Sequence, residues 1–348
     1  MIVDFIYSNL NKISILFFLS FLGFVLLIKT NHLFRDLYPN QVQKIHAGSV
    51  SRNGGALIFT ILISYAYYFE HYENLIDLIF FIPILTVSIV EDNYHNVKAR
   101  TRFLVILLSS LIYVIYLYTN NILPSIELLE ILQFINSPVI LIIIMTLSSA
   151  ALINGSNMID GANGLCAFTF FVIFSVMMFI ANKEGDLYLV ESLFISLIVI
   201  GVFIIFNYPN GKIFLGDTGA YLLGFMSFCF FLHLIQRNEV PAWSSLALFF
   251  YPIIEVTFSF FRKIFMENRN PMIADENHLH LIFYRVFLKS LKNKMVSNCM
   301  VTFALALIWL APPLFTYIFY EEVLTCLFAF FISMIIYFSV YRVIYKKL

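Results

Sequence analysis

Apolar and polar residues alternate along this chain in long blocks rather than at single positions. Eleven apolar runs are separated by short polar intervals, a pattern that predicts an all-α integral membrane protein with about eleven transmembrane helices. The runs are 13–28, 55–69, 75–90, 103–118, 139–153, 165–181, 187–206, 220–235, 243–261, 301–319 and 323–341. The longest polar intervals, 29–54 and 262–297, are too short to bury cores of their own, so 1–348 is expected to form one domain.

Composition and charge support the membrane prediction and orient the chain. Hydrophobic residues make up 61% of the sequence and charged residues 12%, more apolar surface than a soluble domain of 348 residues buries. With the amino terminus outside and the carboxyl terminus cytoplasmic, all of the 21 Lys and Arg except Lys12, Lys183 and Arg237 fall on the cytoplasmic side. The net charge is zero, so no nucleic-acid partner is indicated.

Two predicted cytoplasmic loops, 154–165 and 207–219, combine glycines with amide and carboxylate side chains. Such residues are costly in lipid, so these loops must line an aqueous cavity or lie at the water boundary. The simpler interpretation of the first loop is an Asx-rich turn. In the second loop Asp217 follows Gly216 and precedes Gly219, and it could bind a divalent cation or cap the following helix.

Two further cytoplasmic segments carry clustered charge. The loop after the third run is expected to begin at Glu91 and Asp92, close to three bases, and such a pair suits Mg²⁺ or proton transfer. A solvated loop paired internally is the alternative. The segment 275–280 holds His278 and His280, which suit phosphate contact better than Zn²⁺, although two unliganded loop histidines are an alternative.

Taken together and in this order, five motifs resemble the polyprenyl-phosphate N-acetylhexosamine-1-phosphate transferases, glycosyltransferase family 4. The motifs are Lys44-Ile45-His46 with Arg52-Asn53-Gly54-Gly55, Glu91-Asp92, Asn154-x-x-Asn157-x-x-Asp160-Gly161-x-x-Gly164, Asn207 with Phe214-Leu215-Gly216-Asp217-Thr218-Gly219, and Asp275-x-x-His278-Leu279-His280. Asn163 and the short His-Leu-His motif resemble the branch that serves O-antigen, capsule or teichoic polymers, which includes undecaprenyl-phosphate GlcNAc-1-phosphate transferases.

The resemblance implies an enzyme that transfers an N-acetylhexosamine 1-phosphate from a UDP-sugar to undecaprenyl phosphate and releases UMP. It implies a multi-pass protein of the bacterial plasma membrane with its site on the cytoplasmic face, and a homodimer is left open. Asp217 matches the position of a Mg²⁺ ligand, with Mn²⁺ as an alternative ion. Asp92 matches an aspartate that deprotonates or orients the acceptor phosphate, and Glu91 and Asp160 would complete the acidic shell.

The remaining motif positions are implied to bind substrate. Phe214 would stack on uracil. The amides expected near the nucleotide are Asn154, Asn157, Asn163 and Asn207, and the side chains expected on phosphates are Lys44, Arg52, His278 and His280. Which sugar is selected is not encoded by any motif, because that choice depends on the shape of a pocket.

The sequence departs from the family pattern at Glu91 and Glu255, where the family usually has Asp. Glu255 falls within an apolar run, so it is expected to face a cavity or to pair with Arg262. Acids within spans also raise a rival hypothesis, an ion-coupled secondary transporter that uses Glu255, Asp160 and Asp217. The other motif acids lie at cytoplasmic ends without outward-facing counterparts, which disfavours alternating access.

Overall fold

The computed structural model describes residues 2–30, 50–124, 137–238, 240–273 and 275–348, and these residues are predominantly helical. The helices are α1 Ile2–Ser8, α2 Leu10–Lys29, α3 Gly54–Tyr68, α4 Tyr72–Tyr94, α5 Ala99–Thr119, α6 Pro138–Met158, α7 Leu165–Glu184, α8 Leu187–Asn207, α9 Gly216–Asn238, α10 Ser245–Leu248, α11 Phe250–Phe261, α12 Leu279–Leu291, α13 Lys294–Ala304, α14 Ala306–Trp309, α15 Ala311–Phe319 and α16 Val323–Tyr345. A 3₁₀ turn, Ala242–Ser244, precedes α10, and a π-helical turn, Arg262–Met266, extends α11.

The helices confirm an all-α integral membrane protein. In the described part of the chain, eight helices are long and apolar enough to cross a membrane, and ten spans result if each of two bent pairs counts as one. The bent pairs are Ala242–Leu248 with Phe250–Met266, at 79°, and Lys294–Ala304 with Ala306–Phe319, at 42°. The predicted run 55–69 forms the shorter helix Gly54–Tyr68. The exact number of spans and the sides of the termini stay predictions.

Helix α9 lies at the centre of the bundle. Its apolar window is buried throughout, whereas α2 and α16 leave most of their surface exposed, as helices facing lipid do. Close approach of α3 to α9 depends on Gly55, because a Cβ there would lie 2.0 Å from the backbone nitrogen of Gly219. Small residues at such contacts let helix backbones approach closely in membrane bundles.

The first turns of α3 and α9 lie side by side. The amides of Gly54 and Gly55 donate to the carbonyl oxygens of Phe214 (3.1 Å) and Leu215 (2.9 Å). The amide of Phe214 in turn donates to the carbonyl oxygen of Ser51, at 2.9 Å. These bonds satisfy two of the amides that a helix leaves unpaired at its N-terminus. They also hold the segment before α3 against the start of α9, where Asp217 lies.

Two helices extend further than the sequence suggests. Glu91 and Asp92 lie in the last turn of α4 rather than in a loop, and Asn154 and Asn157 lie in the last turns of α6. The polar residues are tolerated there because these turns are at the end of the span, where the side chains reach other polar groups. The loop between α6 and α7 is therefore shorter than predicted and covers only residues 159–164.

Candidate functional site

Asp92 caps the N-terminus of α9. Its buried carboxylate accepts hydrogen bonds from the backbone amides of Asp217 (2.8 Å to Oδ1) and Thr218 (2.9 Å to Oδ2). Gly216 begins α9 with a φ of +73°, and a Cβ at this residue would lie 2.7 Å from Asp92 Oδ2. A carboxylate at this place also interacts favourably with the helix dipole. The capping role considered for Asp217 is thus wrong, because Asp92 from α4 performs it.

Two arginines bind the Asp217 carboxylate instead. Arg52 Nη2 donates to Asp217 Oδ1 at 3.0 Å, and Arg102 Nη1 donates to Asp217 Oδ2. Arg52 also places its Nε 3.4 Å from Asp92 Oδ1. Arg102 belongs to this cluster, although the sequence reasoning noted it only as one of three neighbouring bases. Its signal was the polar interval of three bases after Asp92, which does not show which base turns inward.

Glu91 lies beside the same cluster. Its Oε1 is 3.6 Å from Arg102 Nη1, and its Oε2 accepts a hydrogen bond from the amide of Val97 at 3.0 Å. One carboxylate oxygen therefore faces the arginine while the other fixes the turn between α4 and α5. The alternative of a solvated loop that pairs internally is wrong for Asp92, which is buried and bound to α9, whereas Glu91 does pair with groups of its own interval, Val97 and Arg102.

Asp160 lies in the short loop after α6, partly exposed, and its side chain accepts no hydrogen bond from the described residues. The surrounding protein removes water from the carboxyl group, and this desolvation raises the pKa of Asp160 well above its usual value. Arg52 lowers this pKa, whereas the negative charges of Asp217 and Asp92 raise it. All four groups are therefore within electrostatic range of one another. Such a carboxyl keeps its proton at a pH at which an exposed aspartate is ionised.

Two of the predicted substrate amides hold loops together. Asn207 Oδ1 accepts from the amide of Gly164 at 2.6 Å, and its Nδ2 donates to the carbonyl oxygen of Ile213 at 2.8 Å. Asn163 Nδ2 donates to the carbonyl oxygen of Pro209 at 2.8 Å. Both side chains are buried, and they join the loop after α6 to the loop before α9. Contact with a nucleotide stays a prediction for both.

The other predicted substrate positions, at the end of α6 and in the loop before α9, are less enclosed. Asn154 Nδ2 donates to the carbonyl oxygen of Ala150 at 2.7 Å, and Asn157 Nδ2 lies 3.4 Å from the hydroxyl of Tyr221. Phe214 is half-buried, and a Cβ on Gly211 would lie 3.0 Å from its ring. Stacking of Phe214 on uracil stays a prediction.

The histidine motif reaches the same region through His280. The ring of His280 packs against Gly161, beside Asp160, so closely that a Cβ at Gly161 would lie 1.9 Å from His280 Nε2. Burial lowers the pKa of His280 well below its usual value, and the neighbouring His278 lowers it further. His280 is thus neutral at ordinary pH. Its ring lies nearly parallel to that of His278, with centroids 5.8 Å apart.

Glu255 pairs with His278. The sequence reasoning instead expected Glu255 to face a cavity or to pair with Arg262. Glu255 Oε2 lies 3.1 Å from His278 Nδ1, and both side chains are buried. Arg262 instead donates to Asp275. Burial by itself raises the pKa of Asp275, but the hydrogen bonds from Arg262 and from the Asn277 amide, with the His278 charge, hold the pKa below its usual value. These pairs fix the segment that carries the histidines.

The structure thus brings together Arg52, Arg102, Glu91, Asp92, Asp160 and Asp217, with His280 next to Asp160. Lys44 lies outside the described residues. Within the described ranges, no three His, Cys, Asp or Glu side chains form a group that could hold a metal ion by themselves. The carboxyl groups of Glu91, Asp92 and Asp217 nevertheless lie against the two guanidinium groups, and Asp160 lies within electrostatic range of them. This cluster can bind an anionic group through its arginines and a hard cation through its carboxylates.

Comparison with known proteins gives matches over the middle of the chain. The model of Glycosyl transferase family 4 matches residues 74–235, which include four of the acids in the cluster and Arg102 but not Arg52 or the histidine motif. The "Undecaprenyl-phosphate alpha-N-acetylglucosaminyl 1-phosphate transferase" of Thermotoga maritima is 31% identical over 134 residues, 38% of this chain and 40% of that protein.

Two more relatives have related names. The "Probable undecaprenyl-phosphate N-acetylglucosaminyl 1-phosphate transferase" of Bacillus subtilis is 31% identical over 134 residues, 36% of each chain. The Yersinia pestis protein, named like that of Thermotoga, is 28% identical over 141 residues, 39% of this chain and 38% of the relative. The matches thus span about two fifths of the relatives' length. Over this part of the chain, the comparisons confirm the resemblance to the polyprenyl-phosphate N-acetylhexosamine-1-phosphate transferases.

Proposed function

We propose that this protein transfers an N-acetylhexosamine 1-phosphate from a UDP-sugar to undecaprenyl phosphate, releasing UMP and forming a lipid-linked pyrophosphate sugar. The product would initiate a cell-envelope polysaccharide. The observation that carries the proposal is the meeting of Arg52 and Arg102 on the buried Asp217 carboxylate, at the ends of membrane helices. A lipid phosphate and a soluble nucleotide sugar can meet only at such a boundary between water and hydrocarbon.

The two arginines suit the phosphates of such substrates. A guanidinium group presents a planar fork of N–H donors, which matches phosphate oxygens as well as it matches a carboxylate. Arg52 and Arg102 approach Asp217 from different elements, the segment before α3 and the first turn of α5. A phosphate that enters between them would compete with Asp217 for their N–H groups and leave this carboxylate available for another ligand.

The donor set also fits a hard divalent cation in its charge and chemistry. Glu91, Asp92, Asp160 and Asp217 outnumber the two arginines, and carboxylate oxygen is the type of ligand that Mg²⁺ prefers. Mg²⁺ needs only one or two protein carboxylates, because substrate phosphates and water supply the other ligands. We propose that Asp217 holds Mg²⁺. A bound cation would neutralise charge that develops on the leaving UMP.

Asp160 and Asp92 differ in what they can do with a proton. Both Asp92 oxygens accept backbone hydrogen bonds, so this carboxylate is committed to the start of α9. Asp160 is partly exposed and accepts no hydrogen bond from the described residues, so both of its oxygens are available. We therefore propose that Asp160 accepts a proton from, or orients, the acceptor phosphate, while Asp92 positions Asp217. This assigns to Asp160 the role that the resemblance implies for Asp92.

The proposal is tested with purified protein in lipid nanodiscs, supplied with undecaprenyl phosphate, Mg²⁺ and a radiolabelled UDP-N-acetylhexosamine. We expect label to pass into the organic phase with an equal amount of UMP released. Asp217→Asn should abolish both, and Asp186→Asn, at the start of α8, is the matched control that should retain both. If the unaltered protein transfers label from neither UDP-N-acetylglucosamine nor UDP-N-acetylgalactosamine, the proposed function is overturned. Full activity of Asp217→Asn would overturn the assignment of Asp217.

A further inference from the structure

A second buried polar cluster lies at the end of the bundle opposite the candidate site. It consists of Asp77 on α4, Tyr113 on α5 and His233 on α9. The Tyr113 hydroxyl donates to Asp77 Oδ1 at 2.8 Å, and His233 Nε2 lies 3.0 Å from Asp77 Oδ2. All three side chains are buried, within helices that are long and apolar enough to span a membrane. The sequence reasoning overlooked this cluster because its members belong to three separate apolar runs.

The three helices of this cluster are the ones whose other ends carry the candidate site. Helix α4 has Asp77 in its second turn and Asp92 in its last turn, about 22 Å apart at 1.5 Å per residue. Helix α9 has Asp217 in its first turn and His233 near its other end, and α5 has Arg102 and Tyr113 in the corresponding places. Each of the three helices therefore makes polar side-chain or backbone contacts with its neighbours near both ends.

Such polar contacts between helices have a specific physical role in a bilayer. Lipid is as apolar as the side chains between helices, so apolar packing alone does not strongly favour one rotation or register of a helix. An acid buried in the membrane is costly unless it is paired. A helix that slid by one turn, about 5.4 Å, would separate Asp77 from its two partners. The cluster consequently favours one arrangement of α4, α5 and α9.

We propose that Asp77, Tyr113 and His233 form a clasp that positions Asp92, Arg102 and Asp217 for the transfer reaction. The inference rests on the proposed function, but the clasp touches no substrate and acts through the three helices. His233 also has Glu73 Oε2 3.8 Å from its Nδ1, and Glu73 is in turn bound by Arg237. The imidazole therefore lies between two carboxylates, with Asp77 at hydrogen-bond distance and Glu73 farther away.

His233 provides the test, because a leucine removes its hydrogen bond and a glutamine can restore it. His233→Leu should lower kcat about tenfold, with a KM for the UDP-sugar within about twofold of the unaltered value, because misplaced groups slow the reaction more than they weaken binding. His233→Gln should recover most of the loss, since its amide N–H2 can donate to Asp77. Equal activity of His233→Leu and His233→Gln would contradict the proposal that these residues form a clasp.

Tyr113→Phe is a milder perturbation that removes one hydroxyl. The ring of Tyr113 packs against Phe80 and Phe225, with centroids 5.3 Å away in each case, and phenylalanine retains these contacts. Tyr116→Phe is its matched control, because Tyr116 is one turn away on α5 and also packs against Phe80, at 4.9 Å. We expect kcat to fall only in Tyr113→Phe. An equal effect in both variants would mean that loss of a hydroxyl on α5 matters and not the clasp.

A measurement that needs no activity separates this inference from the proposed function. Spin labels on cysteines at the exposed residues Tyr94, ending α4, and Lys212, preceding α9, report the distance between the site ends of these helices. The labelled protein would carry Cys299→Ser, because Cys299 is the native cysteine that is not buried. His233→Leu should broaden or shift the distance distribution, and His233→Gln should restore it. An unchanged distribution in His233→Leu would overturn the clasp, whereas absence of transferase activity would overturn only the proposed function.

Discussion

Replacing Asp92 by Asn tests whether its carboxylate is the cap of α9. Asparagine retains a single acceptor oxygen, so one of the two amides that Asp92 binds, at 2.8 and 2.9 Å, would face an N–H2 group instead. A buried donor without a partner costs about 1–3 kcal/mol. Loss of the negative charge at a helix N-terminus adds about 0.3–1 kcal/mol. Asparagine also removes the repulsion between Asp92 and Asp217, and this gain offsets part of the two losses of stability.

We therefore expect Asp92→Asn to lower the free energy of unfolding by about 2 kcal/mol. The measurement is denaturant unfolding in mixed detergent micelles, with transferase activity followed in parallel. Asp186→Asn is the matched control, because Asp186 caps α8 by accepting an amide hydrogen bond from Leu189, at 3.0 Å, which asparagine can retain, and its ion pair with Arg237 is long, at 3.7 Å. A few tenths of a kcal/mol are expected there. If Asp92→Asn were as stable as the unaltered protein and merely inactive, Asp92 would act on substrate and the capping argument would be refuted.

Two further predictions concern the loop after α6. Because burial raises the pKa of Asp160, its carboxyl loses its proton only as the pH rises through this higher value, so kcat/KM should increase with pH over that range. Asp160→Asn should remove this increase from the pH profile, and a profile identical to that of the unaltered protein would contradict the role of Asp160. Gly161→Ala should displace the His280 ring, because the new Cβ would lie 1.9 Å from His280 Nε2. We expect this change to lower the free energy of unfolding by about 1–3 kcal/mol and to lower transferase activity. Gly201→Ala, whose Cβ would lie 3.6 Å from the nearest atom, should change both little in the same thermal unfolding and transferase assays.

The sequence predicted the elements of this fold well because each depends on neighbouring residues. The eleven apolar runs all appear as helices or bent pairs of helices, since lipid requires continuous apolar segments with internally satisfied backbones. The predicted ends were less accurate. Asp92 and Asn157 were placed in loops because they are polar, but polar side chains are tolerated in the last turns of a helix when they reach partners beyond it.

The sequence predicted most of the residues that form the candidate site, but not how these residues contact one another. Clustered glycines and acids indicated which segments should meet, and Arg52, Asp92 and Asp217 are in contact, with Asp160 within electrostatic range of them. The bond between Asp92 and the amide of Asp217 joins residues 125 positions apart, and no local pattern indicates it. The contact of Arg102 with Asp217 was not predicted for the same reason, because the side of α5 that carries Arg102 becomes important only when α9 is in place.

The clasp and the site illustrate one property of membrane bundles. Apolar runs determine that α4, α5 and α9 are helices, but they do not determine how these helices are rotated, since leucine packs about as well against lipid as against another helix. The polar residues at both ends of each helix supply that information. Asp77 binds side chains of α5 and α9, and Asp92 binds backbone amides of α9. If the register of α9 depends on both, loss of either aspartate should disturb the position of Asp217, although one of them lies at the opposite end of the bundle.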